Sequence, residues 1–124
     1  MASIIRARRA QRVLVIVGAL MRPQLDEAIR LAPRDKLWPA SVEVRFIDAE
    51  PRFWGGNIYL NDLMLVDDYV ALIREVEAVW FPDLVLLPSS AFRNGRDYLG
   101  KPYTEISRKV GPDVVLIPTA RILE

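Results

Sequence analysis

Pro82-Asp83-Leu84-Val85-Leu86-Leu87-Pro88 is a five-residue apolar run fenced by prolines and led by an aspartate. Thirty residues further on, Pro112-Asp113-Val114-Val115-Leu116-Ile117-Pro118 repeats the pattern. Proline cannot donate to a ladder, so each pair of prolines marks the ends of a short strand. An unbroken apolar run between such ends is the pattern of a strand covered on both faces, as in a parallel sheet. We therefore expect both runs to lie side by side as inner strands, joined by a helix. That helix starts at Pro102, shows Tyr103, Ile106 and Val110 on one face, and stops at Gly111.

Working outward, residues 13–17 (Val-Leu-Val-Ile-Val) form another continuous apolar run, rich in β-branched residues. Pro23 suits the first turn of a following helix, with Leu25, Ala28, Ile29 and Ala32 at helical spacing until Pro33. Val42, Val44 and Phe46 alternate with Glu43 and Arg45, which predicts a strand with one wet face, the candidate sheet edge. A short strand follows at residues 58–60. Asp67 reads as the N-cap of a helix striped by Tyr69, Leu72, Ile73, Val76, Val79 and Trp80. The order β-α-β-β-α-β-α-β predicts an α/β fold, with a largely parallel sheet covered by helices.

The chain has 124 residues and a formal charge of +1, which suits one domain and gives no global field for nucleic acid. Arg6, Arg8, Arg9 and Arg12 concentrate positive charge in residues 1–12. These read as a basic N-terminal arm, solvated and frayed, ahead of a single α/β domain at 13–124. Its alternative role is contact with an anionic surface.

Cysteine and histidine are both absent. That excludes disulfides, an iron–sulfur cluster held by this chain alone, and histidine-based catalysis, and leaves structural zinc without its usual ligands. No dinucleotide or phosphate-loop fingerprint is present, and no cofactor is expected. The apolar stretch at 13–21 is too short to span a bilayer and lacks a cleavage pattern, so the expected compartment is the cytoplasm, without membrane contact.

Two stretches are candidate binding residues. Phe53-Trp54-Gly55-Gly56-Asn57 places two large rings beside two permissive residues. It reads structurally as a tight turn whose rings roof the core, and functionally as backbone and ring surface offered to a ligand. Asn61, Asp62, Asp67 and Asp68 form an oxygen-rich patch nearby, but its spacing matches no calcium loop. Ser89, Ser90 and Arg93 follow the strand at 84–87, where ligands bind in open α/β sheets. A capped loop is the commoner explanation for such residues.

Read together, these pieces resemble the C-terminal domain of unknown function of bacterial NifB/MoaA-like Fe–S oxidoreductases, here as a separate chain. The resemblance rests on Arg52-Phe53-Trp54-Gly55-Gly56-Asn57, the strand Ile58-Tyr59-Leu60, then Leu63-Met64-Leu65 with Asp68. Leu86-Leu87-Pro88, Phe92-Arg93 and Tyr98-Leu99 continue it. In that family the domain is joined to a PDZ-like segment and a radical-SAM-like core. Pro51 replaces the family's asparagine, and Asp62 and Val66 replace two glycines. The resemblance implies an accessory or binding domain, non-catalytic by itself, that recognises a partner protein or small ligand. The alternative is a small α/β enzyme using Asp62, Asp68 or Ser90 at the strand ends. A homo-oligomer fits a small domain with an open sheet edge.

Overall fold

The computed structural model describes residues 1–18, 21–34, 37–49 and 64–123. Helix α1 (Ala2–Arg8) precedes strand β1 (Arg12–Gly18), helix α2 (Arg22–Leu31) and strand β2 (Glu43–Ala49). Helix α3 (Val66–Glu77), strand β3 (Leu84–Pro88), helix α4 (Thr104–Lys109) and strand β4 (Asp113–Ile117) follow. The four strands pair in parallel in the order β2-β1-β3-β4. The α/β class and the parallel sheet expected from the sequence are therefore observed. The expected strand at 58–60 lies outside the described residues.

Burial on both faces explains the unbroken apolar runs. Val13, Leu14, Val15, Ile16 and Val17 of β1 and residues 84–87 of β3 are all at most 1% exposed. Their side chains alternate between two cores with the period of two that a strand imposes. Leu14, Ile16, Val85 and Leu87 face Tyr69, Ile73 and Ile106, so α3 and α4 cover that side. Val13, Val15, Leu84 and Leu86 face Ile5, Leu25 and Ile122, so α1, α2 and the chain's last turns cover the other. Burying each such aliphatic side chain stabilises the fold by about 1.5–3 kcal/mol.

The chain reverses direction across the sheet at one place. From β1 it steps outward to β2, then crosses back over β1 to reach β3. With right-handed crossovers this puts α2 on one face and α3 and α4 on the other, as observed. The reversal leaves β1 and β3 as central neighbours whose following loops lead to opposite faces.

Several expectations need correction. Residues 1–12 are not a frayed arm: α1 is helical, and Met1, Ile5 and Ala10 are buried in the core that includes β1 and β3 while the arginines stay in water. The two proline-fenced twins do lie side by side, but only β3 is an inner strand; β4 is an edge, with Val114, Val115 and Leu116 half-buried. Their aspartates differ accordingly. Asp83 accepts hydrogen bonds from the amides of Gln11 (2.9 Å) and Arg12 (3.2 Å) and so clasps the start of β1. Asp113 is exposed and meets only Arg8 among the described side chains, at 3.5 Å. The wet-faced strand β2 is the opposite edge, as expected.

Asp67 is not the cap of α3. The helix starts at Val66, and Asp68, in its first turn, reaches back to accept from the amide of Leu65 at 3.0 Å. Val79 lies beyond the helix end and is 85% exposed, whereas Trp80 turns inward. Gly111 does not cap α4 through a left-handed turn, since the chain is already extended at Val110. Its role is space: a Cβ there would stand 2.5 Å from Cζ of Phe81.

Candidate functional site

Where winding reverses, the β1–β3 ladder runs over only three pairs, from Val13↔Leu84 to Val15↔Leu86. Beyond it, among the described residues, the carboxyl end of β1 pairs only with β2, and Leu87 and Pro88 only with β4. This is a topological switch point, the place at which open α/β sheets generally bind ligands. The loop after β3 is the described side of this switch point.

This loop starts as a single 3-10 turn, Ser89–Ala91, without a side-chain cap. Ser89 is half-buried and Ser90 exposed, and among the described residues neither hydroxyl has a hydrogen-bond partner. Ala91 and Phe92 then turn inward. The Phe92 ring stacks on Tyr69 at 5.6 Å and tilts against Tyr103 at 5.8 Å. These ring contacts pin the backbone to α3. Residues 93–96 make a two-residue hairpin: the Arg93 amide donates to the Arg96 carbonyl at 2.9 Å and the Arg96 amide returns the bond at 3.0 Å. Asn94 (φ 54°) and Gly95 (φ 76°) both take the left-handed conformation. A turn of this kind demands it at both central positions.

The Arg93 guanidinium stands exposed without an ion pair among the described residues, while Arg96 donates to the Gly100 carbonyl at 2.8 Å. Asp97 follows and is 7% exposed. Its carboxylate accepts from three amides: Val66 at 2.8 Å, Leu99 at 3.0 Å and Lys101 at 2.9 Å. It thereby holds a tight turn and straps that turn to the start of α3, where negative charge also suits the helix dipole. Outside this strap, Lys101 bonds both oxygens of Asp67 at 3.1 Å, and that contact raises the ammonium's pKa. The tip of the turn leaves Tyr98 and Leu99 in solvent, 68% and 58% exposed.

The structure thus brings Ser89, Ser90 and Arg93 onto one loop at the expected end of the sheet. Asp68 is 6% exposed and engaged at the helix start. Phe53, Trp54, Gly55, Gly56, Asn57 and Asp62 lie outside the described residues. Sequence reading missed Asp97, Tyr98 and Leu99 as a unit. Two signals could have found it: Asn94-Gly95 is a strong hairpin dipeptide, and Asp97 with Gly100 three places on is a turn signature.

Arg22 was also missed. It opens α2 beside the switch point, but it is engaged with Asp26 at 3.1 Å and Asp48 at 3.3 Å and lies over the Phe46 ring. Chemically, the loop offers hydroxyls, a guanidinium, a phenol and an apolar knob on a fixed backbone, which suits recognition through hydrogen bonds and apolar contact. Among the described residues, no group of three His, Cys, Asp or Glu side chains could hold a metal ion, and no helix is long and apolar enough to cross a membrane. Comparison with protein-family models, with curated proteins and with solved structures found no match.

Proposed function

We propose that this chain is a cytoplasmic binding module without catalysis of its own, which recognises a partner protein or small ligand at the carboxyl end of its sheet. The observation that carries this reading is the division of labour in the loop after β3. Phe92 and Asp97 fix the backbone from inside, while Ser89, Ser90 and Arg93 have no side-chain bond among the described residues that the fold requires. A backbone already held in place spares a ligand the entropy of ordering the loop, although the free side chains must still be ordered on binding. The resemblance to an accessory domain of Fe–S oxidoreductase-like proteins points the same way, and adds residues 53–57 as a second recognition surface. The enzyme alternative draws less support, since Asp68 is engaged in holding the start of α3.

The test compares the immobilised chain with an Arg93→Glu/Leu99→Asp variant of unchanged melting temperature. A partner or small ligand retained by the first and lost by the second is the expected result. The reading fails if no ligand raises the melting temperature and nothing retained distinguishes the two chains.

A further inference from the structure

We propose that the outer edge of β4 pairs with the same strand of a second copy of this chain, antiparallel about a two-fold axis at Val115. The strand has the composition of an inner strand in the position of an outer one. Val114, Val115 and Leu116 are half-buried, although the equivalent residues of β3 are at most 1% exposed. Beyond their ladder with β3, the main-chain groups of residues 114–117 have no partner among the described residues.

Sheet edges that must stay single usually carry charges or bulges. The opposite edge does: β2 places Glu43, Arg45 and Asp48 along its length. Between Asp113 and Pro118, β4 has no charge at all. Its bounding prolines limit any added strand to the same short segment, and a second β4 carries the same limits.

The surroundings of the strand make the second copy the fitting occupant. At its carboxyl end a groove of about 450 Å³ opens, lined by Ile4, Leu116, Ile117, Pro118 and the cation Arg121. At its amino end the Asp113 side chain is 76% exposed and lies 3.5 Å from Arg8. With Val115 opposite Val115, Asp113 of one copy falls opposite Ile117 of the other, beside that groove. Asp113 of each strand, beside its own Arg8, then also meets the Arg121 end of its mate, twice, as an isologous interface requires. Val114 and Leu116 face each other across the seam, which covers the half-buried apolar surface.

Sedimentation velocity over a range of concentrations tests this. The wild-type chain dimerises and Leu116→Lys is monomeric. Asp113→Arg weakens the dimer by roughly ten-fold, from two reversed ion pairs. Asp113→Arg combined with Arg121→Asp restores it, with circular dichroism showing each variant folded. A wild-type chain still monomeric at about 1 mM overturns the proposal, because an affinity weaker than that is no specific dimer. So does a dimer that Leu116→Lys leaves equally tight. A double reversal no tighter than the single one overturns the antiparallel register.

Discussion

The carboxylate of Asp97 accepts a hydrogen bond from the amide of Val66 at 2.8 Å, across thirty-one residues of sequence. One buried side chain therefore joins the loop after β3 to the start of α3, and two further amides share it. Replacing it by alanine leaves the Val66 amide buried without an acceptor. The Asp97→Ala variant loses about 3 kcal/mol of unfolding free energy in urea titration, and Asp97→Asn loses roughly half as much. The loss is accompanied by faster amide exchange over residues 93–101, the segment the carboxylate straps down.

The outward side chains of the same loop behave oppositely. Ser90→Ala and Arg93→Ala each change stability by only about 0.5 kcal/mol or less, as surface substitutions do. No bond of the described fold depends on either side chain. Phe92→Ala costs about 3–4 kcal/mol, the usual penalty for emptying a buried aromatic site. That site lies between Tyr69 and Tyr103. Thermal melts of the three variants separate the outward side chains from the anchor.

Helix α1 is part of the core. Ile5 is 1% exposed. Ile5→Ala accordingly lowers stability by about 2–4 kcal/mol. Arg6→Ala changes it by only about 0.5 kcal/mol or less. Arg6 lies on the wet side of the same helix. Equal effects at the two positions, measured by chemical denaturation, would return the terminus to the status of a solvated arm.

Two glycines serve different ends. Gly95 holds φ at 76° in the hairpin, although the Tyr103 ring at 3.6 Å leaves room for a methyl group. Gly95→Ala therefore costs about 1 kcal/mol through backbone strain alone. Gly111→Ala strains no dihedral but drives a methyl into the Phe81 ring. That ring is 52% exposed and can swing aside, so Phe81→Ala in the same chain removes the cost. A double-mutant cycle reads the coupling directly.

Glu43 lies on the wet face of β2. The indole N–H of Trp80 holds its carboxyl below the usual glutamate range, with Arg45 adding to the effect, although that N–H falls short of full hydrogen-bond geometry. Arg45 in turn covers the Trp80 ring, 4.5 Å from its centroid. Such a cation over an indole face is attracted by the ring's quadrupole. A carboxyl whose folded pKa is depressed contributes stability that is present above its unfolded value and lost as pH falls through the folded one. The Trp80 indole N–H resonance accordingly shifts in the acid range below ordinary glutamate titration, and Glu43→Gln abolishes that shift.

The strands at 13–17 and 84–87 were legible because a strand covered on both faces has to be apolar at every position. The helix at 104–109 was legible from Pro102 and the Tyr103, Ile106 and Val110 face. The start of α3 was misread by one or two residues, because Asp67 and Asp68 offer the same local capping chemistry. Which of them turns back to Leu65 depends on Lys101 and Asp97, residues far along the chain. The loop after β3 was legible in position, as the segment after an inner strand. Its anchor at Asp97 was not, since an aspartate in a turn looks the same whether it faces water or a buried amide.

By itself, the order of apolar runs and helical stripes determined an α/β chain with a parallel sheet, because periodicity and burial are properties of consecutive residues. The tertiary structure alone decided that β4 and not its twin lies at the margin, that the N-terminal helix belongs to the core, and that winding reverses between β1 and β3. Each of those outcomes depends on which distant segments meet, and Pro82–Pro88 and Pro112–Pro118 carry nearly the same local signal. Only the fold, by laying β3 against β1 and leaving β4 with one neighbour, tells them apart.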